Sequence, residues 1–191
     1  MPRKVEPEHI IDRVKSGDKE AFGTLVKQHQ QYAYHLAFRL LCNEEDAKDV
    51  VQDSFVKIWK NIGQFNPQAK FTTWMFKIVT NTAIDKLRYN KRFETESLAG
   101  IQYNMGHLHD ETPETLLHQN ETGRLIKGLT GNLPEKQQLV FVLRDLQGLT
   151  TEEVSEVLNM PATSVKSNLH FARKVIREKL FQIHSYERSI K

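Results

Sequence analysis

Apolar residues recur at helical spacing along most of this 191-residue chain. In residues 18–41 and again in residues 44–60, apolar side chains stand three or four positions apart, which predicts two amphipathic helices. Asn43 precedes the second helix, and Asp46 follows three positions later, a spacing that indicates an N-cap. No run of alternating apolar and polar residues is long enough to indicate a sheet. The pattern predicts an all-α protein.

A further helix is predicted over residues 71–88, FTTWMFKIVTNTAIDKLR, although apolar side chains occur on nearly every side of it. At about 100° per residue, one arc of this helix should pack on the two preceding helices. That arc consists of Phe71, Trp74, Met75, Ile78 and Val79. The opposite side mixes cations, hydrogen-bonding groups and apolar groups. It consists of Thr73, Lys77, Asn81, Ile84 and Arg88, with Phe76 and Leu87 beside them.

Two interpretations of this mixed side follow from the residues. In the first, Phe76, Ile84 and Leu87 pack on an N-terminal helix, while Lys77 and Arg88 are solvated. In the second, a nucleic-acid strand runs along the helix, with its phosphates near the cations and its unstacked bases against the apolar groups. Periodicity alone favours the first interpretation.

Residues 150–173 predict a helix, a tight turn and a second helix. Ser155, Asn159 and Val165 stand where a helix-turn-helix needs a small contact residue, a turn residue that tolerates left-handed geometry, and an apolar anchor. The outward side of the second helix carries hydroxyls and cations, which suit phosphate contacts and base edges in a major groove. The structural alternative is a helical hairpin with a basic exterior. This side consists of Thr163, Ser164, Lys166, Ser167, His170, Arg173, Lys174 and Arg177.

Charge is sorted into blocks, although the net charge is only +3. Residues 43–53 hold five acids and one lysine, whereas residues 70–92 hold six Lys or Arg and one acid. Residues 93–123 carry six acids and no Lys or Arg, and residues 162–191 carry seven Lys or Arg against two acids. Separate basic blocks are typical of a protein with a polyanionic partner, although a charge run is often only a solvated surface.

These changes in composition divide the chain into three parts. Residues 1–93 form the first predicted domain. Residues 94–112 are polar, irregular and glycine-containing, and we interpret them as a flexible acidic linker. Helices resume near Pro113, and residues 113–191 form the second domain, with the helix-turn-helix. The prediction is two small helical domains joined by this linker.

The sequence gives no support for catalysis or for a bound cofactor. It contains no phosphate-binding loop, zinc-protease motif, nucleophile elbow or dinucleotide fingerprint. His107, His109 and Asp110 lack a spaced pair of partner ligands, so we predict no metal site. The single cysteine, Cys42, has no partner for an internal disulfide, and no apolar run approaches the roughly 20 residues that span a bilayer. We expect a cytoplasmic protein that is not an enzyme, without membrane insertion.

Three passages in order resemble the small, two-domain extracytoplasmic-function (ECF) sigma factors of bacterial RNA polymerase. Residues 46–59, DAKDVVQDSFVKIW, are similar to the region of that family that docks on the polymerase clamp. Residues 71–88 are similar to its promoter-melting region. Residues 133–180, from LPEKQ to IREKL, are similar to its fourth conserved region, with the helix-turn-helix. A helix-turn-helix alone is shared by many regulators, but the ordered combination is specific.

The resemblance implies partners and site residues. Core RNA polymerase, through its clamp and flap regions, promoter DNA and an anti-sigma protein are the implied partners. The implied polymerase-binding residues are Asp49, Gln52 and Asp53. The implied contacts with the minus-ten element are Phe65 and Asn66, where such proteins capture a flipped base, with Thr73, Lys77, Asn81 and Arg88. The implied contacts with the minus-thirty-five element are Thr163, Ser164, Lys166, Ser167, Asn168, His170, Arg173 and Lys174.

This chain departs from the family in the second helix of the motif, where SNLHFAR replaces a run of the type SRLHRAR. Asn168 has two interpretations, a bidentate bond to an adenine edge or a position against the backbone. Phe171 is interpreted as an extension of the core. Two other functions stay open: a helix-turn-helix regulator that acts without polymerase, and a helical adaptor that does not contact DNA.

Overall fold

The structure, a computed structural model, describes residues 7–97 and 123–189, with side chains over residues 10–92 and 123–182. These residues form helices and turns without a strand, which confirms the predicted all-α class. The first part contains α1 (Pro7–Lys15), α2 (Lys19–Leu41), α3 (Glu44–Asn61), a 3₁₀ turn (Ile62–Gln64) and α4 (Phe71–Ser97). The second contains α5 (residues 123–130), α6 (Glu135–Phe141), a π-helical turn (Val142–Leu146), α7 (Thr151–Leu158) and α8 (Ala162–Ser189).

Side-chain caps fix the beginnings of the first long helices. The Asp18 carboxylate accepts bonds from the backbone N–H groups of Glu20 and Ala21 at the start of α2. Those backbone bonds, chiefly that of Ala21, and the neighbouring Arg13 lower the pKa of the Asp18 carboxyl. Asn43 caps α3 as predicted, because its Oδ1 accepts a 3.0 Å bond from the N–H of Asp46. Each cap satisfies donors that the first turn of a helix leaves unpaired.

The core of the N-terminal domain lies where α2, α3 and α4 pack together. Phe71, Met75 and Val79 are buried, and Trp74 and Ile78 are partly buried against the same cluster, which confirms the predicted apolar arc of α4.

In the C-terminal domain, α6, α7 and α8 build the helix-turn-helix and its support. Thr150 and Glu153 form a reciprocal capping box at the start of α7. Asn159 ends α7 in the left-handed conformation, at φ 49° and ψ 50°, and Val165 is fully buried as the apolar anchor of α8. Ser155 is close to the turn, where its hydroxyl donates to the carbonyl of Met160. The predicted motif is therefore confirmed in detail.

The two domains pack against each other, which no pattern in the sequence predicted. Contacts run between α4 and α7, and one hydrophobic cluster joins Phe76 of α4 to Leu149 and Val157 of the C-terminal domain. The α4 helix also continues to Ser97, so residues 94–97 are helical and not part of an irregular linker. Residues 98–112, the rest of the predicted linker, lie outside the described residues.

Among the helices described, none combines the length and apolarity needed to cross a membrane.

Candidate nucleic-acid interface

An acidic surface runs along the exposed side of α3. Asp49, Gln52 and Asp53 are all exposed there, at the spacing that brings side chains together on one side of a helix. They border a concavity of about 470 Å³ between α3 and α4, into which Lys57 and Lys86 also project. The predicted polymerase-binding residues thus form one continuous, solvent-accessible set.

Lys86 of α4 partly compensates the charge of this surface. Its ammonium lies 3.0 Å from the Asp46 carboxylate and 3.3 Å from that of Asp49. The bond to Asp46 is the main reason that the pKa of Lys86 is raised. The ion pairs tie the end of the acidic surface nearest Asp46 to α4.

The side of α4 opposite its core arc is largely covered by the C-terminal domain. Thr73 is 3% exposed, so it does not lie on an open surface as expected of a DNA contact, and Phe76 is 7% exposed, which agrees with the first interpretation that it packs against another element. Both line a 400 Å³ cavity that residues 147–149 and Glu153 close from the other domain. The packing partner is also not an N-terminal helix, as the first interpretation of this side required. Further along α4, Asn81 and Arg88 are exposed and Lys77 is partly exposed.

Ion pairs join the domains around this covered area. The Lys70 ammonium lies 2.8 Å from the Glu153 carboxylate, and the Arg88 guanidinium lies 3.2 Å from Glu135. The bond from Lys70 lowers the pKa of Glu153, and the backbone N–H of Thr150 adds to this effect. Lys70 and the predicted minus-ten residue Arg88 are therefore both engaged by acids of the other domain.

A partly buried arginine makes a further bond between the domains. Arg39 of α2 donates to the Leu146 carbonyl and, at 2.6 Å, to the Gln147 side chain. Both acceptors lie at the end of the π-helical turn, where backbone carbonyls lack helical partners. Burial lowers the pKa of the Arg39 guanidinium. This contact satisfies a carbonyl that would otherwise be left without a protein donor.

The loop before α4 differs from the expectation at one of its two residues. Phe65 is 4% exposed and packs against Phe71 and Trp74, with ring centroids 5.7 and 5.4 Å away. The side chain is therefore part of the core and does not offer a surface for a flipped base in this arrangement. Asn66 is exposed, as expected, and its side-chain oxygen accepts a bond from the N–H of Gln68.

The outward side of α8 is open to solvent. Five of its predicted residues are strongly polar and exposed, and Thr163 is exposed with them, whereas Ser164 and Asn168 are partly buried. The five are Lys166, Ser167, His170, Arg173 and Lys174. The predicted orientation of the second helix is therefore correct.

Two of these side chains are already held by bonds within the domain. The Arg173 guanidinium donates to both carboxylate oxygens of Asp145, at 2.7 and 2.6 Å, and this raises the pKa of Arg173. The Asn168 amide donates a 2.8 Å bond to the Ser164 carbonyl, the second of its two predicted interpretations.

Phe171 does not extend the core. Its side chain is 52% exposed, on the same side of α8 as the polar residues. The expectation from its apolar character is wrong, because the core positions around it are filled by Leu169 and Ala172.

No group of three or more His, Cys, Asp or Glu residues that could hold a metal ion occurs in the part of the chain that the structure describes. His107, His109 and Asp110 lie outside that part.

Comparisons with known proteins place the chain in a class. The family model for sigma-70 region 2 matches residues 25–93, and the model for sigma-70 region 4 matches residues 124–176. The first spans α2 to α4, and the second includes the helix-turn-helix. The fold is thus that of a sigma factor.

Similar curated proteins define the group more closely. The chain is 33% identical to the ECF RNA polymerase sigma-E factor of Haemophilus influenzae, over 94% of this chain and 98% of that protein. It is 32% identical to the ECF RNA polymerase sigma factor SigW of Bacillus subtilis, over 89% and 94% respectively. The chain belongs to the ECF sigma factors of RNA polymerase. The predicted family and function are confirmed, and a regulator that acts without polymerase is not favoured.

Solved structures are similar over most of the chain. CnrH, in complex with the cytosolic domain of CnrY, is 25% identical with a TM-score of 0.67, over 91% of this chain and 96% of CnrH. The sigma factor RpoE of Bartonella quintana, in complex with the anti-sigma factor NepR, is 22% identical with a TM-score of 0.64 and shares the fold. The matched region covers 83% of this chain and 96% of that RpoE chain.

Proposed function

We propose that this ECF sigma factor binds core RNA polymerase through Asp49, Gln52 and Asp53, and reads promoter DNA with α4 and α8. The observation that carries the proposal is the open polar side of α8, held outward by the buried Val165 anchor. Its hydroxyls and cations suit phosphates and base edges at the minus-thirty-five element. On α4, Lys77, Asn81 and Arg88, with Asn66 in the preceding loop, are the proposed contacts with the minus-ten element.

Strand opening requires the polymerase as a partner. Opening about ten base pairs forfeits roughly 1.4 kcal/mol per stacking step, on the order of 14 kcal/mol in all. A few captured bases recover roughly 1 to 3 kcal/mol each, which is only part of that cost. We therefore expect the protein to act as a subunit in the cytoplasm, with the clamp and flap regions of the polymerase as its binding surfaces. Its role is recognition and not an enzymatic reaction.

The minus-ten surface has to be uncovered before it can act. Thr73 and Phe76 are buried against the 147–153 segment, so a DNA strand has access to them only after the domains separate. Phe65 likewise reaches a base only if its loop leaves the core. We propose that docking on the polymerase separates the two domains.

An anti-sigma protein is the third proposed partner. One of the similar structures holds CnrH bound to the cytosolic domain of CnrY, and the other holds the sigma factor RpoE of Bartonella quintana bound to the anti-sigma factor NepR. Similarity to CnrH over most of the chain supports a partner of the same kind here. The residues that would bind it are not part of the proposal.

Transcription in vitro tests the proposed function. Core polymerase is combined with a library of promoter fragments, with this protein or with its Asp49→Ala, Gln52→Ala, Asp53→Ala triple variant. We expect initiation that depends on the protein and is lost with the triple variant. Glu45→Ala is the matched control, since Glu45 is an exposed acid on the first turn of the same helix. Duplex binding without any initiation would replace the proposal with a polymerase-independent regulator.

A further inference from the structure

We infer that Phe171 is a specificity-determining residue that contacts the C5-methyl group of a thymine in the minus-thirty-five element. The inference rests on the proposed function, because it requires α8 to lie in the major groove. It concerns a residue that departs from the family pattern and that the fold does not use in its core.

The position of Phe171 on α8 supports a contact with bases. Its ring is 52% exposed, while Leu169 and Ala172 face the core. One turn before it stands Ser167 and one turn after it Lys174, both exposed. Residues three and four apart are neighbours on a helix surface, so the ring lies between a hydroxyl and a cation on the side proposed to face DNA.

Two polar side chains near Phe171 are held in place by hydrogen bonds within the protein. The amide of Asn168 donates to the Ser164 carbonyl, which leaves its nitrogen oriented along the helix rather than toward an adenine. The Nε and one Nη nitrogen of Arg173 donate to the two carboxylate oxygens of Asp145 in a bidentate pair. That pair fixes the orientation of the guanidinium but uses only two of its five N–H donors. Between these two oriented polar groups, Phe171 is the exposed apolar side chain in the middle of α8.

The chemistry of the major groove identifies the ligand of an exposed phenyl ring. Thymine presents a methyl group there, and apolar side chains such as Phe contact it, whereas cytosine has only hydrogen at that carbon. Such a contact removes the methyl group and part of the ring from water. Burying one such carbon changes an affinity by about fourfold.

The test removes only the methyl group. The holoenzyme, core polymerase with this protein, first selects a preferred upstream element from duplexes randomised in that region. Each thymine of the selected duplex is then replaced in turn by deoxyuridine, which keeps the hydrogen-bonding pattern. The dissociation constant of the holoenzyme is measured for every duplex with the wild-type protein, Phe171→Ala and Phe171→Leu.

We expect one or two deoxyuridine positions to weaken wild-type binding by about fourfold. The same replacements should have no effect with Phe171→Ala, and a reduced effect with Phe171→Leu, whose side chain is still apolar. The inference is overturned if no thymine methyl matters to the wild-type protein, or if the methyl effect is equally large with Phe171→Ala. It is also overturned if Phe171→Ala weakens binding to core polymerase and not to DNA, because the ring would then contact a protein.

Failure of this inference differs from failure of the proposed function. A holoenzyme that selects an element and initiates, but ignores the methyl groups, retains the proposed function and loses the role of Phe171. A protein that neither selects an element nor initiates with core polymerase loses both.

Discussion

The two proposed DNA-reading surfaces differ in what covers them. The side of α4 that carries Thr73 and Phe76 is buried against the 147–153 segment, while the side of α8 that carries Phe171 is open. Cations near α4 pair with acids of the other domain, whereas Arg173 of α8 pairs with Asp145 of its own domain. The proposed surface for the minus-thirty-five element is therefore preformed, and we propose that the surface for the minus-ten element becomes accessible on domain separation.

Burial of the α4 surface has an energetic reason. A chain with both surfaces open would expose apolar groups of α4, Phe76 among them, to water, which is unfavourable in proportion to their area. Packing of the domains removes that area from water. In the proposed function, the same packing covers the Thr73 side of α4 until the polymerase separates the domains.

The largest expected effect comes from locking the domains together. A carbodiimide should couple the Lys70 amine to the Glu153 carboxylate, which are 2.8 Å apart, as an amide. We expect initiation to fall by about tenfold or more, because the closed state is then the only one populated. The measurement is transcription in vitro with core polymerase, after the coupled protein has been identified by mass spectrometry.

Lys70→Arg is the matched control for this experiment. Arginine keeps the positive charge at position 70 but does not form the amide. Treated Lys70→Arg protein still couples Lys86 to Asp46 or Asp49, so it measures the loss of initiation that comes from other amides, and the treated wild-type protein should lose about tenfold more. Full activity of the coupled wild-type protein would show that the α4 surface works without domain separation.

A pair of phenylalanines provides the second test, on stability. Phe76→Ala should lower the free energy of unfolding by about 3 kcal/mol, since a buried ring is lost and a cavity is left. Phe171→Ala should change it by no more than about 0.5 kcal/mol, because the ring is half exposed. Chemical denaturation of the two variants measures both values. Equal losses would contradict the difference in burial between the two surfaces.

Charge reversal at the domain contact should have a smaller effect. Lys70→Glu places a second acid beside Glu153. The repulsion between the two carboxylates should separate the domains and increase the radius of gyration measured by small-angle scattering. Adding Glu153→Lys to that variant restores an opposite-charge pair and should restore the compact state. High salt should reduce the difference among the three proteins, since the Lys70 side chain is exposed and screened. A radius that is unchanged by Lys70→Glu would mean that the apolar contacts alone hold the domains.

The smallest expected effect is a pH dependence from His29. Its imidazole is half-buried beside Phe71 and lines the cavity between the domains, and burial lowers its pKa below the ordinary value of 6.5. A histidine with a lowered pKa is protonated more readily in the unfolded chain. Stability is therefore complete above pH 6.5 and falls as the pH drops through the folded pKa.

Thermal unfolding at a series of pH values measures this effect. His29→Gln should flatten the decrease in stability on the acidic side of neutrality, relative to the wild-type protein. His35→Gln is a comparison, since His35 is on the same helix and does not line the cavity. An identical pH profile for His29→Gln and wild type would exclude His29 as the source.

Local signals in the sequence predicted a large part of this protein. The Asn43 cap and the left-handed Asn159 both depend on bonds between residues a few positions apart. The apolar arc of α4 followed from the helical period alone. Orientation of α8 followed in the same way, because Val165 must be buried if the motif is to pack.

The candidate minus-ten residues were predicted less well, for a reason that lies in distance along the chain. Lys70 and Glu153 are separated by 83 positions, and the local sequence around either residue does not indicate that the two are in contact. Thr73 was therefore assigned to an accessible side of α4, and Phe65 to an accessible loop. A helical wheel states which residues share a side, but not which other element covers that side.

The sequence by itself determined the helices, their caps, the helix-turn-helix and the family, because these depend on short-range spacing and on motifs in a fixed order. Only the tertiary structure decided that the C-terminal domain covers α4, that Arg39 bonds to the end of the π-helical turn, and that Phe171 stays exposed. Burial is a property of surfaces that meet in space. Two surfaces with compatible shape and charge can be far apart in the chain, so the spacing of residues does not specify their contact.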